Sequence, residues 1–137
     1  MKHSNIIWFE IAVQDLDRAV LFYSSMLDTT IEKQILLDKE YGIFKRENTG
    51  IGGVLVKKPN SVHGSGIILF FYVNVLSDAI EAACNNGGKI IVPKMLIKQQ
   101  DKAGKLTIAQ NLIDNQVGYF AELTDSEGNH ISLYSHY

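Results

Sequence analysis

The sequence has a single cysteine, Cys84, two prolines and no long hydrophobic run. One cysteine allows no disulfide within the chain, so folding does not require an oxidising compartment. The longest apolar stretch, residues 66–73, is far shorter than the ~20 residues that span a bilayer. The first residues lack the apolar core of a signal peptide. We therefore predict a bacterial-type cytoplasmic protein with no membrane partner.

The sequence also lacks a large excess of positive or negative charge. The chain has 13 Lys and Arg residues against 15 Asp and Glu residues, for a net charge of −2 at pH 7. Nucleic acids and anionic lipids attract proteins through basic patches, so neither is expected as a partner. The 137 residues are enough for one compact domain with a buried core.

Hydrophobic periodicity and turn residues predict two similar halves. The predicted elements of the first half are strand 6–13, helix 16–27 and strands 30–37, 41–46 and 53–57. Those of the second half are strand 67–73, helix 76–86 and strands 89–92, 118–124 and 130–135. Asp15 is the predicted N-cap of the first helix, Gly87 stops the second, and Pro93 ends the strand that precedes it.

An internal repeat supports this division. A shift of 60 residues places residues 13–19 on residues 73–79, with Val, Leu and Ala identical. We predict an α+β fold of two tandem βαβββ modules, residues 1–61 and 66–137, with an insertion at 94–117. The modules are expected to form a curved mixed sheet with the helices outside and a concave pocket.

Four segments together resemble the vicinal-oxygen-chelate superfamily of glyoxalases, bleomycin-resistance proteins and extradiol dioxygenases. They are residues 8–23, residues 52–56, residues 86–93 and residues 125–133. The resemblance implies a homodimer with a ligand pocket. In metal-dependent members, it also implies one metal ligand from each of four strands, usually His or Glu.

Those four places are occupied here by Trp8, Val54 or Val56, Ile68 and Ser132. None offers the carboxylate or imidazole that divalent ions prefer. We therefore predict no metal and no other cofactor, and we consider classical metal-dependent glyoxalase or dioxygenase activity improbable.

Glu10 is the candidate catalytic residue, because period-two alternation places it on the same strand face as Trp8. A carboxylate in a partly apolar concavity can act as a base or bind a cation. A purely structural role, such as pairing with Lys or Arg, is the alternative. The predicted ligand-binding residues are Trp8, Glu10, Val54, Ile68, Phe70, Tyr72, Met95, Ser132 and Tyr134. The alternative role of the aromatic members is to fill space.

The four histidines are not expected to form a site. His3, His63 and His136 lie in terminal or loop segments without metal-binding spacing, and His130 is expected on the face opposite Ser132. Cys84 has no basic neighbour and is an ordinary thiol. The insertion at 94–117 is interpreted as a mobile tip flanked by packed parts.

Three hypotheses for function follow. The first is metal-free binding of a small organic ligand in the pocket. The second is a metal-free lyase or isomerase that uses Glu10 as general base. The third is a metal-dependent lyase or dioxygenase whose ligands are other residues.

Overall fold

The computed structural model describes residues 5–46, 50–60, 66–101 and 103–137. The predicted boundary between the modules falls among residues 61–65, outside the described part. The chain divides into two compact units, a first unit of Trp8–Ile68 and a second unit of Met1–Ile7 with Leu69–Tyr137. No helix of the described residues is long and apolar enough to cross a membrane.

The first part of the chain folds as predicted. Its elements are β1 (Ile6–Val13), α1 (Leu16–Leu27), β2 (Ile31–Leu36), β3 (Lys39–Phe44) and β4 (Gly52–Lys57). The strands lie in the order β2-β3-β4-β1, and only the β4–β1 pair is parallel. Asp15 is the N-cap of α1, since its Oδ1 accepts a hydrogen bond from the Arg18 amide at 3.0 Å.

The second part repeats this order and adds a short hairpin. Its elements are β5 (Ile67–Tyr72), α2 (Leu76–Asn85), β6 (Lys89–Leu96), β7 (Gln99–Gln100), β8 (Leu106–Thr107), β9 (Tyr119–Thr124) and β10 (His130–Ser135). The main strands lie in the order β5-β10-β9-β6, and β7 pairs with β8 alone. The predicted α+β fold of two βαβββ modules is thus confirmed.

The length of strand β6 shows that one prediction was wrong. Pro93 does not end it, because the strand continues to Leu96. Since β6 is the edge strand of its unit, one side of its backbone has no ladder to complete, and proline is tolerated there. Its pairing with β9 also shifts register on both sides of Val92, which relaxes the ladder near the proline.

Each helix covers one face of its own sheet. In the first unit Leu16, Ile31 and Leu55 form the buried core. In the second unit the core is Leu76, Ala121, Leu123 and Leu133. Because side chains alternate along a strand, the residues between these core positions lie on the opposite, helix-free face.

Candidate functional site

Ser132 lies on the helix-free face of the second unit, in the middle of β10. Its neighbours across the strands are Phe70 on β5 and Glu122 on β9. Its side chain is 1% exposed, and its Oγ has no hydrogen-bond partner among the described residues. A buried hydroxyl without a partner costs roughly 1–3 kcal/mol, and such a group requires an explanation.

Aromatic residues are neighbours of Ser132 on the same strand face. Phe70 is buried, Tyr134 is completely buried and Tyr72 is partly buried. All three share the strand face of Ser132, because Tyr134 pairs with Tyr72 in the same register that pairs Ser132 with Phe70. The second unit therefore brings together four of the residues that the sequence predicted to bind a ligand.

Two other predicted ligand residues are not paired with Ser132 across the strands. Met95 is half exposed on β6, opposite Phe120, and two strands away from Ser132. Ile68 is buried and is the last residue of the first unit.

A polar cluster that the sequence did not predict adjoins these residues. The Asp114 carboxylate accepts a hydrogen bond from the Tyr134 hydroxyl at 2.6 Å and lies 2.6 Å from His136 Nε2. The Asn111 amide donates to the Tyr134 hydroxyl at 2.9 Å. His136, considered unimportant from the sequence, is therefore part of a largely buried network, with 18% of its side chain exposed.

The two tyrosines of this region are held in their neutral form. Burial, followed by the nearby Asp114 carboxylate, raises the pKa of both Tyr134 and Tyr72. A phenol with a raised pKa keeps its proton at neutral pH and can donate a hydrogen bond.

The strand face on which His130 lies shows that another prediction was wrong. It was expected on the face opposite Ser132, but it lies two positions before Ser132 on β10 and therefore shares its face. Its Nε2 lies 2.6 Å from a carboxylate oxygen of Glu122. The pair is partly exposed to solvent, so its net contribution to stability is expected to be small.

In the first unit, Trp8, Glu10 and Val54 share the helix-free face. Glu10 pairs with Val54 and Trp8 with Gly52 across β1 and β4. Trp8 is 4% exposed, and the Arg46 guanidinium lies 5.1 Å from its ring centroid, in cation–π contact. A Cβ at Gly52 would overlap the end of the Arg46 side chain, so a larger residue at this position requires Arg46 to move.

Glu10 lies close to Tyr41. Burial, with a further contribution from the Glu10 charge, raises the pKa of Tyr41 to about 12. The Glu10 carboxylate therefore lies near enough to the Tyr41 phenol, within the first unit, for its charge to be felt there.

This pair leads to a pH prediction. A phenol whose pKa is raised in the folded state stabilises the fold fully below its unfolded pKa of 10.0, and the contribution is lost as pH rises towards about 12. We expect Glu10→Gln to lower the pKa of Tyr41, as measured by NMR of carbon-13-labelled tyrosine, because the carboxylate charge is removed. An unchanged Tyr41 pKa would contradict the proximity of the two groups.

The four places at which the resemblance implies metal ligands do not fit a divalent ion. Trp8 has only an N–H donor, the valine and Ile68 have no lone pairs, and a neutral serine hydroxyl is a weak ligand. Among the described residues, no three His, Cys, Asp or Glu side chains are grouped so that they could hold a metal ion.

The sequence missed Asn111, Asp114 and His136. Asn111 and Asp114 belong to the insertion, where no periodicity marks a face. His136 could have been recognised, because the alternation that carries Ser132 and Tyr134 continues to it.

Comparison with known proteins identifies the fold. No protein-family model and no curated protein matches the sequence. Methylmalonyl-CoA epimerase from Streptomyces coelicolor, solved with 2-nitronate-propionyl-CoA, is 14% identical with a TM-score of 0.60, over 96% of each chain. The Mycobacterium tuberculosis epimerase is 18% identical, with a TM-score of 0.60, over 96% of this chain and 87% of that chain.

A hypothetical protein from Bacillus halodurans C-125 is similar to the same degree. It is 14% identical, with a TM-score of 0.58, over 95% of this chain and 92% of that chain. The epimerases belong to the vicinal-oxygen-chelate superfamily, and this chain shares their fold. At these identities the likeness concerns the fold alone.

Proposed function

We propose that the chain binds a small organic molecule, without a metal ion, on the helix-free face of the second unit. The observation that carries this proposal is the buried, unpartnered Oγ of Ser132. Because the protein shields this atom from solvent, a ligand would have to displace a neighbouring side chain, and its oxygen or nitrogen at hydrogen-bond distance would then satisfy the hydroxyl and recover the free energy lost by its burial.

The metal-free character rests on the donor set. At the four places where metal-dependent relatives hold their ion, this chain has an indole, two aliphatic side chains and a hydroxyl. If only one of these four positions had changed, three ligands could still hold an ion. Here all four positions lack a good ligand, which argues against a bound ion.

The chemistry of the ligand follows from its expected neighbours. Phe70 and Tyr72 offer ring surfaces that favour planar or apolar groups, and Ser132 can donate or accept one hydrogen bond. Acyl-CoA esters belong in a first ligand screen, because the structurally similar Streptomyces epimerase holds 2-nitronate-propionyl-CoA.

The decisive variant is Ser132→Ala. We expect the ligand-free variant to be as stable as the wild type or up to ~1 kcal/mol more stable, because an unsatisfied hydroxyl is removed. A ligand found by thermal shift in the presence of EDTA should lose most of its stabilising effect on this variant. Thermal denaturation of both proteins, with and without ligand, provides the measurement.

Ser135→Ala is the matched control. Ser135 is equally buried on the same strand, but its Oγ donates to the Asn74 carbonyl at 2.9 Å and accepts from the Tyr137 amide at 3.0 Å. Its removal should cost about 1–2 kcal/mol. If Ser132→Ala is destabilised as much as Ser135→Ala, the Ser132 hydroxyl has a partner within the protein and the proposal fails. Stoichiometric zinc, nickel or iron in the purified protein would exclude the metal-free form.

A second candidate function is a metal-free enzyme with Glu10 as general base. It is favoured by the position of Glu10 on the face of the buried Trp8 and by its effect on Tyr41. Glu10→Gln should then abolish turnover, whereas a binding protein would lose only part of its affinity.

We also propose that the chain forms a homodimer, on the strength of the family resemblance, and that it is cytoplasmic, because its single cysteine needs no oxidising compartment. Size-exclusion chromatography with light scattering tests the dimer directly, and a monomer at micromolar concentration would remove this part of the proposal.

A further inference from the structure

Asp114, His136 and Tyr72 form a continuous line of contacts in the second unit. Asp114 Oδ2 lies 2.6 Å from His136 Nε2, and His136 Nδ1 lies 3.4 Å from the Tyr72 hydroxyl. The sequence separations of 22 and 64 residues show that tertiary folding, not local geometry, brings these groups together. A carboxylate, an imidazole and a hydroxyl in this order resemble the arrangement by which hydrolases activate a hydroxyl group.

The carboxylate at the end of this line is fixed in position. Its other oxygen accepts the Tyr134 hydroxyl at 2.6 Å, and Asn111 donates to that hydroxyl at 2.9 Å. Tyr134 is completely buried. Asp114 is therefore held on both sides and cannot rotate away from the imidazole without breaking a buried hydrogen bond.

The imidazole is oriented in turn. Its ring packs edge-on against Tyr72 and Tyr134, with centroid distances of 5.5 and 5.6 Å. A proton on Nε2 is favoured because the Asp114 carboxylate can accept it. The lone pair of Nδ1 then points to the Tyr72 hydroxyl, which donates to it.

We propose that these three residues form an acid–base site, in which Tyr72 takes a proton from a neutral hydroxyl compound and passes its own proton to His136. The O–H bond of the bound compound breaks and its electron pair stays on that oxygen. A new O–H bond forms on Tyr72 as the phenolic proton moves to His136 Nδ1. Tyr72 is the catalytic residue, and His136 and Asp114 are positioning residues that act through it.

The charge of the surroundings selects the class of compound. Asp114 places a negative charge behind the imidazole, so the imidazolium that forms is stabilised, while an anionic ligand would be repelled. Water and alcohols are neutral until they lose the proton. At 3.4 Å the Tyr72–His136 contact is longer than a strong hydrogen bond, as is common where catalytic groups are not yet in contact with substrate.

This inference goes beyond ligand binding at Ser132 and does not rest on it. The Ser132→Ala variant keeps Tyr72, His136 and Asp114 in place, so the two proposals can fail separately.

The test uses hydrolysis of 4-nitrophenyl acetate, with water as the hydroxyl compound. The water oxygen bonds to the acetyl carbon as its proton moves to Tyr72, the bond to 4-nitrophenolate breaks, and the proton on His136 returns to solvent. We expect Tyr72→Phe and His136→Gln to slow nitrophenolate release by at least about tenfold after subtraction of the buffer rate. Tyr72→Phe keeps the ring packing and therefore serves if His136→Gln does not fold.

His130→Gln is the matched control, because His130 also lies on the second unit and pairs with a carboxylate at 2.6 Å. Its rate should equal that of the wild type. Folded Tyr72→Phe protein with the wild-type rate overturns the proposal, and so does an equal loss of rate in His130→Gln.

Two further measurements separate positioning from a merely structural role. Nitrogen-15 NMR should show the His136 proton on Nε2 in the wild type, and Asp114→Asn should shift the tautomer and slow the reaction. An unchanged tautomer in Asp114→Asn contradicts the relay.

Discussion

Replacing Gly118 by alanine is expected to lower the free energy of unfolding by about 3 kcal/mol or more. Gly118 is buried directly before β9, and a Cβ at this position would overlap the hydroxyl end of the Tyr134 ring. Tyr134 has no room to retreat, since it is completely buried with its hydroxyl bonded to Asn111 and Asp114. The added methyl group therefore both overpacks the core and breaks a buried polar network.

Denaturant unfolding measures this loss, and Gly52→Ala is its control. A Cβ at Gly52 would also overlap a side chain, but that side chain is Arg46, which is exposed and flexible. Arg46 can move into solvent at the cost of its contact with Trp8, which is worth about 0.5–1 kcal/mol at an exposed site. If Gly118→Ala lowers the free energy of unfolding no more than Gly52→Ala does, the Tyr134 side chain can move aside, contrary to what its burial and hydrogen bonds indicate.

The elements of the fold could be predicted because each had a local cause. The apolar period and the cap at Asp15 define α1, and the 60-residue repeat places the start of α2 at Leu76. Strand β6 was predicted too short because proline was judged without knowing where the strand would lie. Only the sheet order shows that β6 is an edge strand.

The candidate site was predictable where it follows strand alternation and not elsewhere. Alternation placed Glu10 beside Trp8 and Ser132 beside Tyr134 on shared faces. Asp114 comes from the insertion and reaches Tyr134 across 20 residues of chain. Neither spacing nor composition encodes such a contact, because it depends on how an irregular segment packs against β10.

The burial of Ser132 was equally inaccessible. The sequence shows a hydroxyl where the family resemblance implies a metal ligand, but not whether that hydroxyl is solvated or paired. The structure adds that it is buried and unpartnered. This changes the interpretation of the position from a lost ligand to a group that a bound molecule would satisfy.

The two cores permit a second prediction of large effect. Leu55 in the first unit and Leu123 in the second are both completely buried, each within its own core. We expect Leu55→Ala and Leu123→Ala each to lower the free energy of unfolding by about 2–5 kcal/mol, through lost burial and the cavity that remains. Leu21, on α1, is 68% exposed, so Leu21→Ala should change stability by less than about 0.5 kcal/mol.

Hydrogen exchange in the same variants then shows how far each core supports its own unit. Because Leu55 packs with Leu16 and Ile31 and Leu123 packs with Leu76, each variant should first lose amide protection in the strands and helix of its own unit. The Tyr134 network should therefore persist in Leu55→Ala and weaken in Leu123→Ala. A uniform loss of amide protection across both units in each variant would show that the two cores unfold together. The claim that each core stabilises its own unit separately would then be wrong.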